Sequence, residues 1–369
     1  WGLERNRNGG SAVASVIALP AVAGKFGVLG GGYTMSNSAA WKFGKVGGST
    51  EDAPSSRRLN MNRLGEALTA DSNIDVLFVY NSNALATTPN QTLVRRGLER
   101  EDLFTVVFEQ VLTDTTRYAD MVLPATTFLE HDELSRGYGA FVMHRARPAI
   151  APIGEARSNV SVFADLLRRL NLDRPGDALD PDTLVERLVP DAEVREALDQ
   201  HGTVTPSFGA HPIQFDTVFP NTTDRKIHLV PDALDQEAPA GLYAYQENPW
   251  QDDGPLTLLS PSTNKRTSST FGERVKEPAT VDLSPAEAAR RGVATGDWVA
   301  VENRFGLVEV QARVTDDVPD GVAVLVKGLW AKDTRNGATA NALAPDSLTD
   351  LGGGACFNDA RVNITRLNS

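Results

Sequence analysis

Short apolar runs separated by polar turns mark the first third of the chain. Three of them occupy Asp75–Tyr80, Val106–Phe108 and Met121–Leu123. A continuous apolar run bounded by turns is typical of a strand buried on both faces, as in a parallel sheet. The third run stops at Pro124, which lacks a backbone donor and restricts the residue before it. The pattern therefore predicts an α/β region with a parallel sheet.

Helical patterns accompany these strands. Apolar residues at helical spacing within Val160–Leu170 predict an amphipathic helix with one face in a core. Further helices are predicted at Ser11–Gly24 and Asn60–Ala70, with one or two short helices between Leu184 and Leu198. The remaining expectations are an exposed loop at Trp41–Arg58, a turn and extended arm at Ser135–Ile150, and a short strand near Lys226–Val230.

From Leu256 onward the pattern changes to period two. Alternate apolar residues between Val308 and Val314 share one face, so this strand is predicted to be half buried. Ser284 and Glu287 form a capping box that opens a short helix ending at Gly292. Short strands with tight turns indicate a small closed barrel. The predicted strands are Leu256–Leu259, Trp298–Glu302, Leu307–Val314, Val322–Val326 and Arg361–Ile364.

Composition narrows the class of protein. The 369 residues are enough for two or three domains, and a 23% charged share is that of an ordinary globular protein. The net charge of −12 argues against a nucleic-acid binder, which depends on basic patches. A single cysteine excludes an iron–sulfur cluster held by this chain alone. No apolar run reaches the roughly 18 residues of a membrane span.

Polar residues follow the predicted strands, at the edge where α/β sheets bind ligands. Asn81 and Asn83 follow the first strand, and Thr113, Asp114 and Thr116 lie between the second and the third. Amide, hydroxyl and carboxylate groups in such turns can bind phosphates or base edges, but they also serve simply to complete a βα turn. On the residues alone, both interpretations of the Asn turn stay open.

Two stretches carry a family resemblance. LTDTTRYADMVLPATTFLEHDEL, around Asp114, and SPAEAARRGVATGDWVAVENRFGLVEVQARV, around Trp298, resemble the molybdopterin oxidoreductases of the dimethyl sulfoxide reductase and formate dehydrogenase superfamily. The resemblance implies an α/β domain with a parallel sheet and a carboxyl-terminal six-stranded double-psi β-barrel. It places the α/β domain at 1–128, a return segment and connecting region at 129–255, and a dinucleotide-binding barrel at 256–369.

The cofactor implied by this resemblance is molybdenum, or tungsten, held by molybdopterin guanine dinucleotide. A pyrophosphate calls for amide and hydroxyl donors, and a guanine edge for a carboxylate or amide. Lys265 and Arg266 would offset phosphate charge. By position in the family motifs, the expected cofactor-binding residues are Asn81, Asn83, Thr113, Asp114, Thr116, Ser260, Ser262, Asn264, Thr267, Ser268, Asn341, Asp350 and Phe357. For the last three, a surface loop before the final strand is the alternative.

Other polar groups give weaker signals. Gly27–Gly32 lies after a predicted helix rather than after a strand, so a loop with close backbone approach is favoured over a phosphate loop. His131, Asp132 and Glu133 are adjacent along the chain and have no second histidine at ligand spacing, so no metal ligand is expected there. Cys356 is interpreted as a small buried thiol.

The family's metal ligand comes from a segment that precedes the matching parts, so no catalytic or metal-binding residue is assigned. Because the chain begins at Trp1 rather than Met, with no signal-peptide pattern, we expect its amino-terminal part to be missing. The resemblance implies that it is the carboxyl-terminal part of a longer enzyme. The expected partners are a small-molecule substrate and the upstream part of the same polypeptide, with an electron-transfer protein as a candidate. An iron–sulfur cluster is a candidate for the upstream part, and a cytoplasmic location is expected.

Three functions stay open. The first is part of an oxidoreductase that performs two-electron chemistry on a small substrate. The second is a non-redox relative such as a hydratase, because one fold supports several chemistries. The third is a non-catalytic nucleotide-binding module made of the α/β and barrel domains.

Overall fold

The computed structural model describes residues 2–36, 40–41, 43–44, 56–70, 73–174, 177, 180–209, 211–248, 250 and 253–368. The chain forms two compact units. The first unit comprises Trp1–Val16, Arg58–Leu123 and Val230–Ser369, and the second comprises Ile17–Arg57 and Pro124–Leu229. Most of the loop predicted at Trp41–Arg58 lies outside the described residues. The three-domain division stays a prediction.

A small α/β layer lies in the first unit. Strands β1 (Val76–Tyr80), β2 (Phe104–Glu109) and β3 (Met121–Pro124) form a sheet in that order, and β1 pairs with β2 in parallel. The predicted parallel sheet is therefore confirmed. The described helices of this unit are α2 (Leu64–Ala70), α3 (Ala84–Thr87), α4 (Gln91–Leu98), α8 (Asp232–Glu237) and α9 (Pro285–Arg291), together with the start of α1 (Gly9–Val22).

Apolar packing fixes the crossover from β1 to β2. Leu68 of α2, Leu85 of α3 and Val94 and Leu98 of α4 form one buried cluster with Leu103. This cluster sets the direction in which the chain leaves β1 and enters β2, and so it positions the polar turns at the ends of both strands.

Six strands close into a barrel in the same unit. They are β7 (Leu256–Leu259), β8 (Thr280–Leu283), β9 (Trp298–Asn303), β10 (Gly306–Val314), β11 (Val322–Leu325) and β12 (Arg361–Arg366). Their order around the barrel is β10-β8-β11-β7-β12-β9, and β9 closes it by antiparallel pairing with β10. The β8–β10 and β7–β11 pairs are parallel and the others antiparallel. This is the double-psi barrel that the sequence resemblance implied.

Period-two burial explains why these segments form strands. Val308, Val310 and Ala312 of β10 are at most 1% exposed, whereas the residues between them are more accessible. Strand β8 was not predicted, because its Asp282 interrupts the apolar pattern. That carboxylate lies beside Arg313 of β10 in an ion pair, which compensates for its burial.

The short helix α9 (Pro285–Arg291) follows the predicted capping signal in part. The Ser284 hydroxyl accepts the Glu287 amide at 3.1 Å, and Gly292 ends the helix with a φ of 60°. The Glu287 carboxylate, however, pairs with Arg290 and Arg291 instead of completing the box.

Within its described residues, the second unit contains a three-stranded sheet, three complete helices and the end of α1. Strands β4 (Glu133–Arg136), β5 (Met143–Ala146) and β6 (Thr203–Val204) pair in antiparallel fashion, so the predicted turn and arm is a hairpin. A strand near Lys226–Val230 was predicted wrongly: this described segment follows the polar turn 221–226 and no strand forms in it, and the strand of this region is β6 instead. The helices are α5 (Asn159–Arg169), α6 (Pro181–Leu188) and α7 (Ala192–His201), and Ser158, Asp180 and Asp191 cap their first turns.

Candidate functional site

The turn after β1 and the turn after β2 meet at Asn83. Its Oδ1 accepts the Thr115 hydroxyl at 2.9 Å and the Thr115 amide at 3.3 Å. The Thr115 hydroxyl in turn accepts the Leu85 amide at 3.1 Å. All three residues are buried. Two of the predicted turns are therefore joined by direct hydrogen bonds, at the strand ends where sheets of this class bind ligands.

Two buried donors beside this junction have no partner among the residues that the structure describes. Within the described part of the chain, neither Asn83 Nδ2 nor Thr113 Oγ1 has a hydrogen-bond partner, although these residues are only 4% and 5% exposed. Buried polar groups without a partner are rare, because each costs about 1–3 kcal/mol. Both atoms can donate to an oxygen acceptor. The junction therefore has the chemistry of a site for a phosphate or a ring carbonyl.

The other residues of these turns occupy distinct positions. The Thr116 hydroxyl donates to the Thr113 carbonyl at 2.7 Å and closes the turn. Asn81 is exposed and has a φ of 51°, as turn geometry at the end of β1 requires. Asp114 is buried, and its Oδ2 accepts the Ala331 amide from the barrel region at 2.8 Å. Burial raises the pKa of the Asp114 carboxyl, and the bond from Ala331 opposes that rise.

The segment before the final strand also contacts the α/β layer. The Asn341 side chain donates from Nδ2 to the Thr87 carbonyl at the end of α3. Thr339 donates its amide to Gln91 Oε1 at 2.8 Å and its hydroxyl to the Ala86 carbonyl at 3.1 Å. The barrel region and the α/β turns of the first unit therefore share a polar, hydrogen-bonded boundary.

The loop after β7 contains most of the other predicted residues. Ser262, Asn264, Thr267 and Ser268 are exposed and Ser260 is half-buried, so their polar groups are accessible. The two cations of the loop differ. Lys265 pairs with Glu277 at the surface, whereas Arg266 is buried and pairs with Asp333 at 2.6 Å. The charge of Arg266 is therefore already compensated inside the protein.

Asp350 and Phe357 make different contacts. Both carboxylate oxygens of Asp350 accept amides from the first turn of α1, and the Phe357 ring lies under the guanidinium of Arg5, with 5.4 Å between Cζ and the ring centroid. Among the contacts described, none joins these two residues to Asn83 or Asp114. Their assignment to a cofactor stays a prediction.

The acidic and histidine side chains at 131–133, which the sequence also singled out, have partners within the protein. Asp132 pairs with Arg145 at 2.6 Å, and His131 contacts Thr126 and Glu133. Among the described residues, no group of three histidine, cysteine or acidic side chains is arranged to hold a metal. Cys356 is fully buried as predicted, and burial raises the pKa of its thiol to about 12. No described helix has both the length and the apolar character required to cross a membrane.

Sequence reasoning missed several residues that organise this region. Thr115 was not distinguished from its neighbours, although its side chain bonds to Asn83 and Leu85 and so joins the two turns. Gln91, Thr339 and Asp333 carry no local motif, and their partners lie far away along the chain. Only a signal that relates distant positions could have found them.

The fold and the turns together define the class: an α/β layer with buried donors at its strand ends, joined within one unit to a double-psi barrel. Two family models match the chain. A model described as "Molybdopterin oxidoreductase" matches residues 1–169, and one described as "Molydopterin dinucleotide binding domain" matches residues 257–361. The chain belongs to the molybdopterin oxidoreductase superfamily.

Individual relatives agree with this assignment. The probable oxidoreductase YoaE of Bacillus subtilis is 30% identical over 99% of this chain and 56% of that protein. A putative dimethyl sulfoxide reductase catalytic subunit of Halobacterium salinarum is 29% identical over 83% of this chain and 39% of that protein. The chain thus spans about half the length of the curated relatives it matches, or less.

Among solved structures, acetylene hydratase from Pelobacter acetylenicus has a similar fold, with a TM-score of 0.69 at 19% identity. The match covers 84% of this chain and 46% of that one.

Proposed function

We propose that this chain binds molybdopterin guanine dinucleotide with molybdenum or tungsten, as the carboxyl-terminal part of an oxidoreductase acting on a small substrate. The observation that carries the proposal is a pair of buried donors, Asn83 Nδ2 and Thr113 Oγ1, for which the described part of the chain offers no partner. Their chemistry fits a cofactor rich in phosphate and carbonyl oxygens. Such a cofactor, when bound, supplies the metal centre for two-electron chemistry, and the protein supplies binding and orientation.

The residues proposed to hold the cofactor fall into three sets. Asn81, Asn83, Thr113, Asp114 and Thr116 belong to the α/β turns. The accessible hydroxyls and amide of Ser260, Ser262, Asn264, Thr267 and Ser268 belong to the barrel loop after β7. Asn341, Asp350 and Phe357 complete the predicted set. With these assignments, residues 256–369 form the proposed dinucleotide-binding domain and residues 1–128 the proposed α/β domain.

A pair of threonine variants tests the proposal. Because the Thr113 hydroxyl has no protein partner in the described structure, Thr113→Val should change the free energy of unfolding by less than about 1 kcal/mol. It should nevertheless lower the bound guanine nucleotide and metal per mole of natively purified protein. Thr115→Val is the matched control for the effect of losing a threonine hydroxyl on stability. It loses a hydroxyl with two partners and should cost about 1–3 kcal/mol in stability.

The readouts are the guanine nucleotide released by acid hydrolysis, the molybdenum and tungsten content by mass spectrometry, and unfolding by denaturant. If Thr113→Val kept the full guanine and metal content of the parent protein, the assignment of this turn to the cofactor would be wrong. Absence of guanine from the natively purified full-length parent would instead overturn the proposed cofactor altogether.

The alternative is a non-redox enzyme of the hydratase kind. Acetylene hydratase shares this fold, so the fold does not separate the two chemistries. A screen of reducible substrates with an artificial electron donor separates them, since only the oxidoreductase consumes the donor. A non-catalytic nucleotide-binding module, the third candidate, would contain guanine but no molybdenum or tungsten.

Two partners are proposed with this function. The upstream part of the same polypeptide would supply the metal ligand, because family members take it from a segment preceding the matched parts. The relatives are about twice as long as this chain or longer, which is consistent with that division. An electron-transfer protein is the second proposed partner, and co-purification with the full-length enzyme tests it.

A further inference from the structure

A short segment of the barrel region, 328–333, lies between two of the predicted cofactor turns. On one side, the Ala331 amide donates to Asp114 Oδ2 of the α/β turn at 2.8 Å. On the other side, the Arg266 guanidinium of the loop after β7 donates to Asp333 Oδ2 at 2.6 Å and to the Gly328 carbonyl at 3.0 Å. The segment therefore contacts both turns through hydrogen bonds to charged groups, which are stronger than neutral ones.

The loop after β7 also packs closely against this segment. The Trp330 indole donates to the Ser269 carbonyl at 2.8 Å. Gly328 has a φ of 75°, and a Cβ there would lie 1.6 Å from the Ser268 carbonyl oxygen. A Cβ at Gly272 would lie 2.1 Å from Trp330 Nε1. Because backbone and indole approach this closely, the loop and the segment cannot shift independently.

Burial makes the Arg266–Asp333 pair important for this arrangement. The two side chains are 5% and 3% exposed. Asp333 Oδ2 also accepts the Trp330 amide at 2.8 Å, so one oxygen holds both the loop and the segment. Removal of one member of a buried pair leaves an uncompensated charge, which is strongly destabilising locally. The conformation of 328–333, and with it the bond to Asp114, therefore depends on Arg266.

We propose that Arg266 is a positioning residue that couples the loop after β7 to the α/β turn, through Asp333, the segment 328–333 and Asp114. This inference rests on the proposed function, in which both turns contact the cofactor. Coupling of two sites is reciprocal, so a ligand that orders one turn would also favour the ordered state of the other. Arg266 would act by holding these turns in register, without contacting the substrate.

Hydrogen exchange of the natively purified full-length protein tests the coupling. Arg266→Gln should raise amide exchange roughly tenfold or more at 328–333 and also at 113–118, which Arg266 does not contact. It should lower the guanine content as well. Arg274→Gln is the matched control, because the carbonyls of its neighbours Glu273 and Val275 accept from Lys332 of the segment, whereas its own side chain is 78% exposed. The control should leave exchange at both segments and the guanine content unchanged.

Variants of Asp114, at the opposite end of the proposed coupling from Arg266, make the test independent of whether Arg266→Gln folds. Asp114→Ala should raise exchange at 328–333 and at 260–270, whereas Asp114→Asn, which keeps an acceptor for the Ala331 amide, should restore most of the protection. If each substitution loosened only its own neighbourhood, the coupling would be refuted. That outcome is distinct from failure of the proposed function, which would appear as absence of guanine from the parent protein.

Discussion

Asp350 caps the helix that begins at Gly9, although the two residues stand near opposite ends of the sequence. Its Oδ1 accepts the Gly10 amide at 2.7 Å, and its Oδ2 accepts the Ser11 amide at 3.0 Å. The Asp350 amide also donates to the Arg7 carbonyl at 2.9 Å. A carboxylate at a helix N-terminus satisfies free amides and interacts favourably with the helix dipole.

Replacement of Asp350 should therefore loosen the start of α1. We expect Asp350→Ala to lower the free energy of unfolding by about 1–2 kcal/mol, the usual cost of losing an N-cap. Hydrogen exchange should accelerate first at residues 9–13. Asp317→Ala, at an exposed carboxylate, is the control and should change stability by no more than about 0.5 kcal/mol. Unchanged exchange at 9–13 in Asp350→Ala would contradict the capping role.

Much of the fold could be predicted because local signals and packing agree. Continuous apolar runs predict β1, β2 and β3, and the capping signal at Ser284 marks a helix that does form. Strand β8 escaped prediction because its Asp282 is stabilised by Arg313, a partner that period-two analysis does not reveal. Strand β6 has two residues, which is too short for any periodicity.

The candidate site could be predicted only in part. The rule for strand ends selects the turns of Asn83 and Thr113, which the structure places at one junction through Thr115. It does not show that Asp350 already uses both oxygens on α1, or that Arg266 is neutralised by Asp333. Such assignments depend on contacts between positions far apart in the chain, which local patterns do not encode.

The boundary between α4 and the barrel region gives a second prediction. Gln91 is 1% exposed, and its Oε1 accepts the Thr339 amide at 2.8 Å. Gln91→Leu keeps a similar volume but leaves that buried amide without an acceptor, so stability should fall by about 1–3 kcal/mol. Gln200→Leu, at an exposed position of α7, is the matched control and should have little effect. Denaturant unfolding measures the stability of both variants. Equal stabilities would show that the Gln91–Thr339 hydrogen bond does not stabilise the protein.

A third prediction concerns pH. Burial raises the pKa of the Asp359 carboxyl above its ordinary value of 3.8, although the Arg7 amide donates to it at 2.7 Å. At pH values between 3.8, the ordinary pKa of the unfolded state, and the higher pKa of the folded state, the folded protein holds more protons than the unfolded protein. The stabilising contribution of this group is therefore fully present below pH 3.8 and is lost as pH rises through the pKa of the folded state. Asp359→Asn does not titrate. Its stability relative to the parent protein should therefore increase as pH rises through this window.

Asp320 provides a control of opposite sign for that experiment. The Ser284 hydroxyl donates to its carboxylate and lowers its pKa. The stabilising contribution of the Asp320 carboxylate is present above the pKa of the unfolded state and is lost as pH falls through the pKa of the folded state. As pH rises, the parent protein gains this contribution and Asp320→Asn does not, so the variant should lose stability relative to the parent protein. Denaturant unfolding across a pH series measures both slopes. Slopes of the same sign for the two variants would contradict the assignment of Asp359.

The last prediction concerns the single cysteine. Burial raises the pKa of the Cys356 thiol to about 12, and the nearby Asp359 carboxylate adds to that shift. Only the thiolate reacts, so at pH 8 the reactive fraction is roughly 10⁻⁴, against about a quarter for an ordinary thiol. Iodoacetamide should therefore label the native protein at least about a thousandfold more slowly than the protein unfolded in denaturant. Labelling is measured at the peptide that contains Cys356, and Cys356→Ser, which should lose that labelled peptide in both states, establishes that the signal comes from this thiol. Native labelling within about tenfold of the unfolded rate would mean that Cys356 is accessible and ionised, contrary to its buried position in the fold.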